Sequence, residues 1–503
     1  MSGLKKLASQ TAIYGISSII GRLLNYLLVP LYTRVFSEGD YGIVTQLFAI
    51  VAFLNIVFTY GLETAFFKFS HSNANKIQVY STALISLCFT SLIYCSGILY
   101  FSNAIAVSFT IDSQAPVLPY YIQCFAVVLA ADAISALPFA LLRQQQRALR
   151  FVSIRMVNIS INVLLNLFFL VICPQYETSS DFIKAVYNSN IGVGYVFIVN
   201  MIASVVTVLL LLPELLKVKL NFDKKLWREM LAYSWPLMIA GFAGMINETL
   251  DRILLPIFLP STSNALTELG IYGACYKLSM LMTLFVQTFR YAADPFYFSQ
   301  DKKPEAKKVF ALVMHYFVII CCLIFLLVML YLPIFKKLIG ERFYTGLEVV
   351  PILLIANLFL GIYYNLSVWY RLSGATKWGA YFSIVGAVIT ILFNAALVPW
   401  LGYVGAAWAT LICYGSMMVY SFIMGQKHFN VPYQVWAFIK NLGLALGIYF
   451  LSILLFRLWP CSHTIQMGIS TLLMLAFIAF TLLQERSKIV SFVNQIKKRN
   501  DSK

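Results

Sequence analysis

Three ionisable side chains stand where an apolar helix would cross a bilayer. The stretch 236–259, PLMIAGFAGMINETLDRILLPIFL, carries Glu248, Asp251 and Arg252, although it is long enough to span hydrocarbon, which takes about 20 residues. Each such group costs about 2.5–3.5 kcal/mol at a helix centre, so it must face a protein partner or water. The i, i+3, i+4 spacing puts all three on one helical face. Two readings follow: a Glu248–Arg252 pair that neutralises itself and merely tolerates burial, or a wet cavity in which the charges act on a ligand. Arg22, Lys277 and Arg290 are further cations deep in apolar segments. Cations at depth suit an anion, and arginine offers phosphate oxygens a planar donor fork. These four are therefore the candidate substrate-binding residues. For Arg22 the competing partner is Asp132; for Arg290 it is Asp294, four positions on and just before Pro295, where a structural pair and ligand contact weigh equally. Lys277 lies too far inside its segment for snorkelling to explain it well. The carboxylates suggest ion coupling. When an anion engages Arg252, Glu248 and Asp251 lose their counter-charge and take up a proton or sodium ion more readily, with Asp132 and Asn394 as further candidates.

These residues need helices to hold them, and the composition provides them. The chain has 503 residues, 60% hydrophobic and only 11% charged, with mean hydropathy +0.81. A soluble domain would need far more charge to cover its surface. Apolar runs of spanning length fall at 11–35, 42–66, 79–101, 118–141, 152–172, 191–213, 232–259, 269–298, 309–333, 349–370, 379–400, 404–425, 437–459 and 465–483. This predicts an all-α polytopic membrane protein of about fourteen transmembrane helices. The basic Met1–Ser9 leads into an apolar run that continues to Val35, so the first segment is expected to stay as a span. Lys and Arg crowd one set of connections, including 143–150, 217–228, 302–308 and 486–503. The positive-inside rule then puts both termini in the cytoplasm, and the basic runs become topology signals and contacts for anionic membrane lipids. They are not a nucleic-acid surface. Trp227, Trp235, Trp400 and Trp459 sit near helix ends, as interfacial belt residues do.

The connections contain turn signals such as 37–40 and 373–376, without a phosphate-cradling G-x-x-x-x-G-K-[ST] or a long soluble stretch to house a nucleotide. No His-Glu zinc motif or Gly-x-Ser-x-Gly elbow is present. The 9 cysteines lie mostly in apolar segments without paired metal spacing and read as small packers. The sequence thus points away from an enzyme, and no cofactor or metal is expected. Asn158, Asn162 and Asn166 recur every four residues, a polar stripe that either lines a cavity or joins neighbouring helices. Glu63, near a helix end, reads as interfacial.

Internal repeats divide the chain. Val29-Pro30 ends the first helix as Leu255-Pro256 ends the seventh, and Tyr41-Gly42 opens the second as Tyr272-Gly273 opens the eighth. Arg143 precedes Asn166 by the same interval as Arg371 precedes Asn394. The expected division is a six-helix bundle over 1–213, a basic cytoplasmic linker over 214–229, a second six-helix bundle over 230–425, and two extra helices with a basic tail over 426–503. Six helices per half is an even number, so the halves form a parallel pseudo-repeat about the membrane normal, with substrate between them near the midplane.

The opening segment, with Gly21-Arg22, Asn25, the run 29–37, Asp40-Tyr41-Gly42 and Tyr60-Gly61-Leu62-Glu63, resembles bacterial lipid-linked oligosaccharide (O-antigen-type) flippases of the polysaccharide transport family. Asp251-Arg252, Gly270 to Tyr272-Gly273, Tyr276-Lys277, Pro399, the run 402–407 and Ala409-Thr410 are similar to the same family. The resemblance covers nearly the whole chain. It implies the fold of the multidrug/oligosaccharidyl-lipid/polysaccharide exporter superfamily, two bundles around a V-shaped cavity. The implied activity is transfer of a polyprenyl-diphosphate-linked glycan across the bacterial inner membrane by ion-coupled alternating access, beside other polysaccharide-assembly membrane proteins. The alternatives are a multidrug or small-molecule cation exporter of the same superfamily, which an acid-lined cavity would favour, and a flippase for a lipid-linked peptidoglycan precursor.

Overall fold

The computed structural model describes residues 26–72, 75–109, 117–217, 221–260, 263–300, 305–375, 377–459 and 462–500. Among them the chain is helical throughout, without a strand. Its long helices are α1, Leu28–Val35; α2, Glu38–Ser70; α3, Lys76–Tyr100; α4, Pro119–Gln144; α5, Ala148–Tyr176; α6, Gly194–Leu210; α7, Lys224–Phe258; α8, Ala265–Tyr291; α9, Ala306–Leu330; α10, Val349–Leu372; α11, Lys377–Leu401; α12, Tyr403–His428; α13, Val435–Leu458; and α14, His463–Glu485. From α2 onward, 12 are long and apolar enough to cross a membrane and α6 is a shorter apolar helix. α1 is the described part of the first apolar run. The protein is therefore a multi-pass α-helical membrane protein, in which each backbone polar group of a span is satisfied within its own helix.

α7 starts eight residues before the apolar run. Asp223 caps it, its carboxylate accepting the N–H groups of Lys225 (2.9 Å) and Leu226 (3.0 Å). The cap supplies acceptors for two of the N–H groups that a helix start leaves unpaired, so the helix begins within the basic segment. α2 bends where Tyr60 and Gly61 take φ of 31° and 72°. In α5, residues Phe168–Ile172 form one π-helical turn. Pro174 lacks the N–H that would bond the carbonyl of residue 170 and crowds it, which loosens the ladder there.

Two compact units make up the chain: 1–277 with 339–349 and 376–417, and 278–338 with 350–375 and 418–503. In the first, Phe58, Leu62, Phe66, Tyr80, Leu137 and Met230 form a buried cluster. α2 and the start of α8 touch backbone to backbone. A Cβ built at Gly42 would fall on the Leu266 carbonyl, and one at Gly270 on the Glu38 carbonyl. One at Gly273 would lie 2.6 Å from Thr45 Oγ1. Small residues permit this approach where lipid gives helices no hydrophobic reason to associate. The Tyr-Gly pairs that open the second and eighth helices thus belong to helices packed on one another.

In the same unit the asparagine stripe of α5 meets α6. Asn158 Nδ2 donates to the Ala203 carbonyl (3.0 Å) and Thr207 Oγ1 (2.8 Å), and Asn162 Nδ2 donates to Asn200 Oδ1 (3.0 Å). Asn166 accepts from the Tyr32 hydroxyl of α1 at 3.0 Å. Of the two readings of the stripe, helix joining describes these contacts.

In the second unit α9 packs on α13 and α14. Ser470 Oγ donates to the Leu330 carbonyl at 3.0 Å. His315 Nε2 lies 2.9 Å from Glu485 Oε1, with both side chains at 5% exposure or less.

Candidate functional site

The predicted site residues fall in three places, and Arg22 lies outside the described residues. The first place is the α7–α8 pair in the first unit. Asp251 is buried; its Oδ2 accepts the Tyr272 hydroxyl at 2.6 Å and its Oδ1 the backbone N–H of Arg252 at 2.9 Å. The Arg252 guanidinium lies 4.0 Å over the Tyr276 ring. Tyr272 and Tyr276 are four residues apart on α8, so one helical face of α8 provides a phenol for the acid and a π-face for the base. The charge of Arg252 also acts on Lys277. At 1.5 Å rise per residue, Arg252 lies about 9 Å below the Phe258 end of α7, and Lys277 about 18 Å below the Ala265 end of α8. Those two ends are joined by the short connection between the helices. Glu248 is exposed, one turn from Arg252, and its charge acts on Tyr276. The three charges of the seventh helix share a face, as their spacing predicted, but not an environment.

Behind Asp251, polar contacts run from α7 into α11 and α12. Asn247, one turn before Asp251, donates through Nδ2 to the Ser383 carbonyl (3.1 Å) and accepts at its carbonyl from the Tyr414 hydroxyl (2.9 Å). Cys413 Sγ lies 3.9 Å from Asn247 Oδ1 and also bonds Thr390. Asn394, one turn beyond Thr390 and fully buried, donates to the Thr390 carbonyl at 2.8 Å, while its Oδ1 has no partner among the described residues. Asn247, one turn from Asp251, thus meets Cys413, which bonds Thr390, one turn from Asn394; sequence reasoning singled out none of the three. Uncharged residues inside an apolar run resemble ordinary packing. Only the shared spacing of Asn247 and Asp251, and of Thr390 and Asn394, marked them.

The second place is in the N-terminal helices. Asp132 of α4 accepts the Ser204 hydroxyl of α6 at 2.9 Å, and the cation acting on it is Arg155 of α5. The Arg155 guanidinium lies 4.4 Å over the Phe139 ring. Asp132 was the competing partner weighed for Arg22; among the described residues the cation acting on it is Arg155. Arg155, which sequence reasoning did not single out, lies two turns inside α5, which begins at Ala148. Glu63 pairs with Arg143. The third place is in the second unit, where Arg290 is exposed on α8 with its guanidinium 4.6 Å over the Tyr364 ring of α10. The cation–π contact holds Arg290 against α10, and Asp294 lies among the side chains that are not described.

Among the described residues no cluster of three or more His, Cys, Asp or Glu side chains could hold a metal. The chemistry available at the first place is recognition of an anion by Arg252 and Lys277, beside a buried carboxylate and a carbonyl-type oxygen able to accept a proton or cation.

The chain is similar in fold to solved membrane transporters. A lipid II flippase, MurJ, in an inward closed conformation superposes with TM-score 0.71 at 14% identity, covering 96% of this chain and 100% of that one. A multidrug resistance MATE family transporter of the MOP superfamily superposes in its inward-facing conformation with TM-score 0.64 at 14% identity, over 82% of this chain and 94% of that one. The outward-facing conformation of such a transporter gives 0.57 at 13% identity, over 83% and 95%. A search of curated proteins finds no match. Residues 7–300 match the family model described as polysaccharide biosynthesis protein, and with more than half its length inside that match, on a fold shared with MOP-superfamily transporters, the chain belongs to that family.

Proposed function

We propose that the protein flips a polyprenyl-diphosphate-linked oligosaccharide from the cytoplasmic to the outer leaflet of the bacterial inner membrane for cell-surface polysaccharide synthesis, by ion-coupled alternating access. One observation carries this reading. Arg252 and Lys277 are cations of adjacent spans, the Arg252 guanidinium lying 4.0 Å over the ring of Tyr276, the residue before Lys277, with one buried acid, Asp251, beside them that also accepts the Tyr272 hydroxyl. Two like charges at membrane depth repel strongly in a low dielectric, and an anion that bridges them relieves the repulsion. A diphosphate offers several oxygens to do so. Arg290 and Arg22 are the further cations assigned to the substrate. Asp251 and Asn394 are assigned to the coupling ion, proton or sodium, with Glu248 and Asp132 as additional acids.

The test is export of the lipid-linked glycan in cells carrying Arg252→Ala or Lys277→Ala. A charge-assisted hydrogen bond contributes about 1.5–3 kcal/mol, so each variant should lose at least about tenfold in export with the protein still inserted. Arg252→Lys should recover only part, because a lysine is a point charge without the fork. Export at the native rate by both alanine variants would defeat the proposal.

A further inference from the structure

A cavity of about 200 Å³ in the second unit belongs to no part of the site described above. It is lined by α9, α10, the end of α12 and the start of α13, with Ala311, Met314, Val318, Ile362, Phe422 and Val435 in its wall, and it is partly open. The lining is almost wholly apolar. His315 borders it, but the ring nitrogen Nε2 is held by Glu485 at 2.9 Å. Tyr433 and Gln434 add the other polar groups, at the very start of α13. An apolar cavity of about 150 Å³ inside a protein stays dry and takes up a hydrocarbon such as benzene. One this size, among membrane-spanning helices, therefore suits a stretch of alkyl chain. It has nothing that would orient a polar cargo.

The mouth adds charge. Lys307, Ala311, Met314 and Val318 recur at i, i+4, i+7 and i+11, so Lys307 lies on the lining face of α9 one turn towards the helix start. Its ammonium is 4.7 Å over the Phe429 ring, just beyond the end of α12. Lys427 is exposed at the end of α12, and Lys308, beside Lys307, pairs with Glu305 at 3.1 Å. By the positive-inside rule these ends meet the cytoplasmic leaflet, where anionic lipids concentrate.

We infer that this cavity and its lysine rim form a binding site for one anionic phospholipid of the cytoplasmic leaflet, an acyl chain in the cavity and the phosphate at Lys307. The occupant is a resident lipid rather than the transported glycan lipid. A phospholipid presents an acyl chain to the apolar wall and one phosphate to Lys307, whereas a glycan lipid would also need polar groups that this wall lacks.

The full-length protein is reconstituted in nanodiscs of equal phosphatidylglycerol and phosphatidylcholine, and lipids retained after detergent washing are counted by native mass spectrometry. The native chain should keep one phosphatidylglycerol. Val435→Trp, which fills the mouth at an interfacial level that suits tryptophan, should keep none. Lys307→Gln, at an exposed position, should lower the preference for phosphatidylglycerol about fivefold, the effect of one cation near the surface, and it decides the matter alone should Val435→Trp not fold. Retention of no lipid, equal retention of both lipids by the native chain, undiminished preference in Lys307→Gln, or one-for-one displacement by added polyprenyl diphosphate would each overturn the assignment.

Discussion

At the scale of single residues, the two acids of α7 differ in what surrounds them. Asp251 is buried and accepts a short hydrogen bond from Tyr272, whereas Glu248 is exposed. A coupling ion must bind with different affinity in the two transport states, because a ligand that binds both equally shifts nothing. Asp251 meets that requirement better, since a small movement of α8 would alter the Tyr272 bond and with it the acid's readiness to accept a cation. Asp251→Asn with Glu248→Gln should therefore retain glycan binding yet lose the dependence of export on the proton or sodium gradient. Asp251→Asn alone should account for most of the loss. Both are read by measuring export after the gradient is collapsed. Unchanged ion dependence in the double variant would reduce the acids to structural partners of Arg252.

At the scale of elements, the α2–α8 crossing fixes where the site lies. Gly270 and Gly42 let the two backbones touch, and the next turns of α8 then present Tyr272, Tyr276 and Lys277 to α7. A side chain at Gly270 has no space to occupy, so the helices must separate or tilt. Overpacking of this kind typically costs about 1–3 kcal/mol. Gly270→Val should lower the thermal unfolding temperature and depress export even though residue 270 touches no charge, whereas the same change at Gly443, where a Cβ would meet nothing within 4 Å, should do neither. Equal behaviour of the two variants in a thermal-shift measurement would remove the crossing from this account. In the second unit, α14 is tied to α9 by the nearly buried His315–Glu485 pair. Breaking such a pair on one side costs more than its formation contributes, because the remaining group stays buried without its partner.

At the scale of the whole molecule, orientation follows from the basic connections. Residues 143–150, 217–228, 302–308 and the tail after 485 collect lysine and arginine, and the positive-inside rule expects such residues on the cytoplasmic side. Reporter fusions after Arg150, Arg228 and Lys503 should all report cytoplasm. An outside signal at any one would reverse the orientation, and with it the leaflet assigned to the lysine-rimmed cavity. Buried Glu214 supports a fixed inner end for the N-terminal helices, since it pairs with Arg150 at 2.9 Å and Arg147 at 3.5 Å. Basic residues that read as topology signals in the sequence also join the start of α5 to the segment after α6.

The sequence alone determined the helices, because a bilayer demands about 20 apolar residues per span and the sequence obeys that period from residue 42 onward. It also located Asp251, Arg252 and Lys277, since a charge in hydrocarbon is costly enough to stand out against an apolar background. Its spacing even put Glu248 on the same face as Arg252. Tertiary structure decided what those charges meet. Tyr272 and Tyr276 are unremarkable aromatic residues until α8 turns them towards α7, and Asn247, Cys413 and Thr390 are ordinary apolar-run residues until three helices bring them together. Arg155 stands near the start of the apolar run 152–172, and only tertiary structure decides that its charge acts on Asp132 of α4. The lysine-rimmed cavity could not be anticipated at all: a void is where side chains from separate segments fail to meet, and no single segment records it.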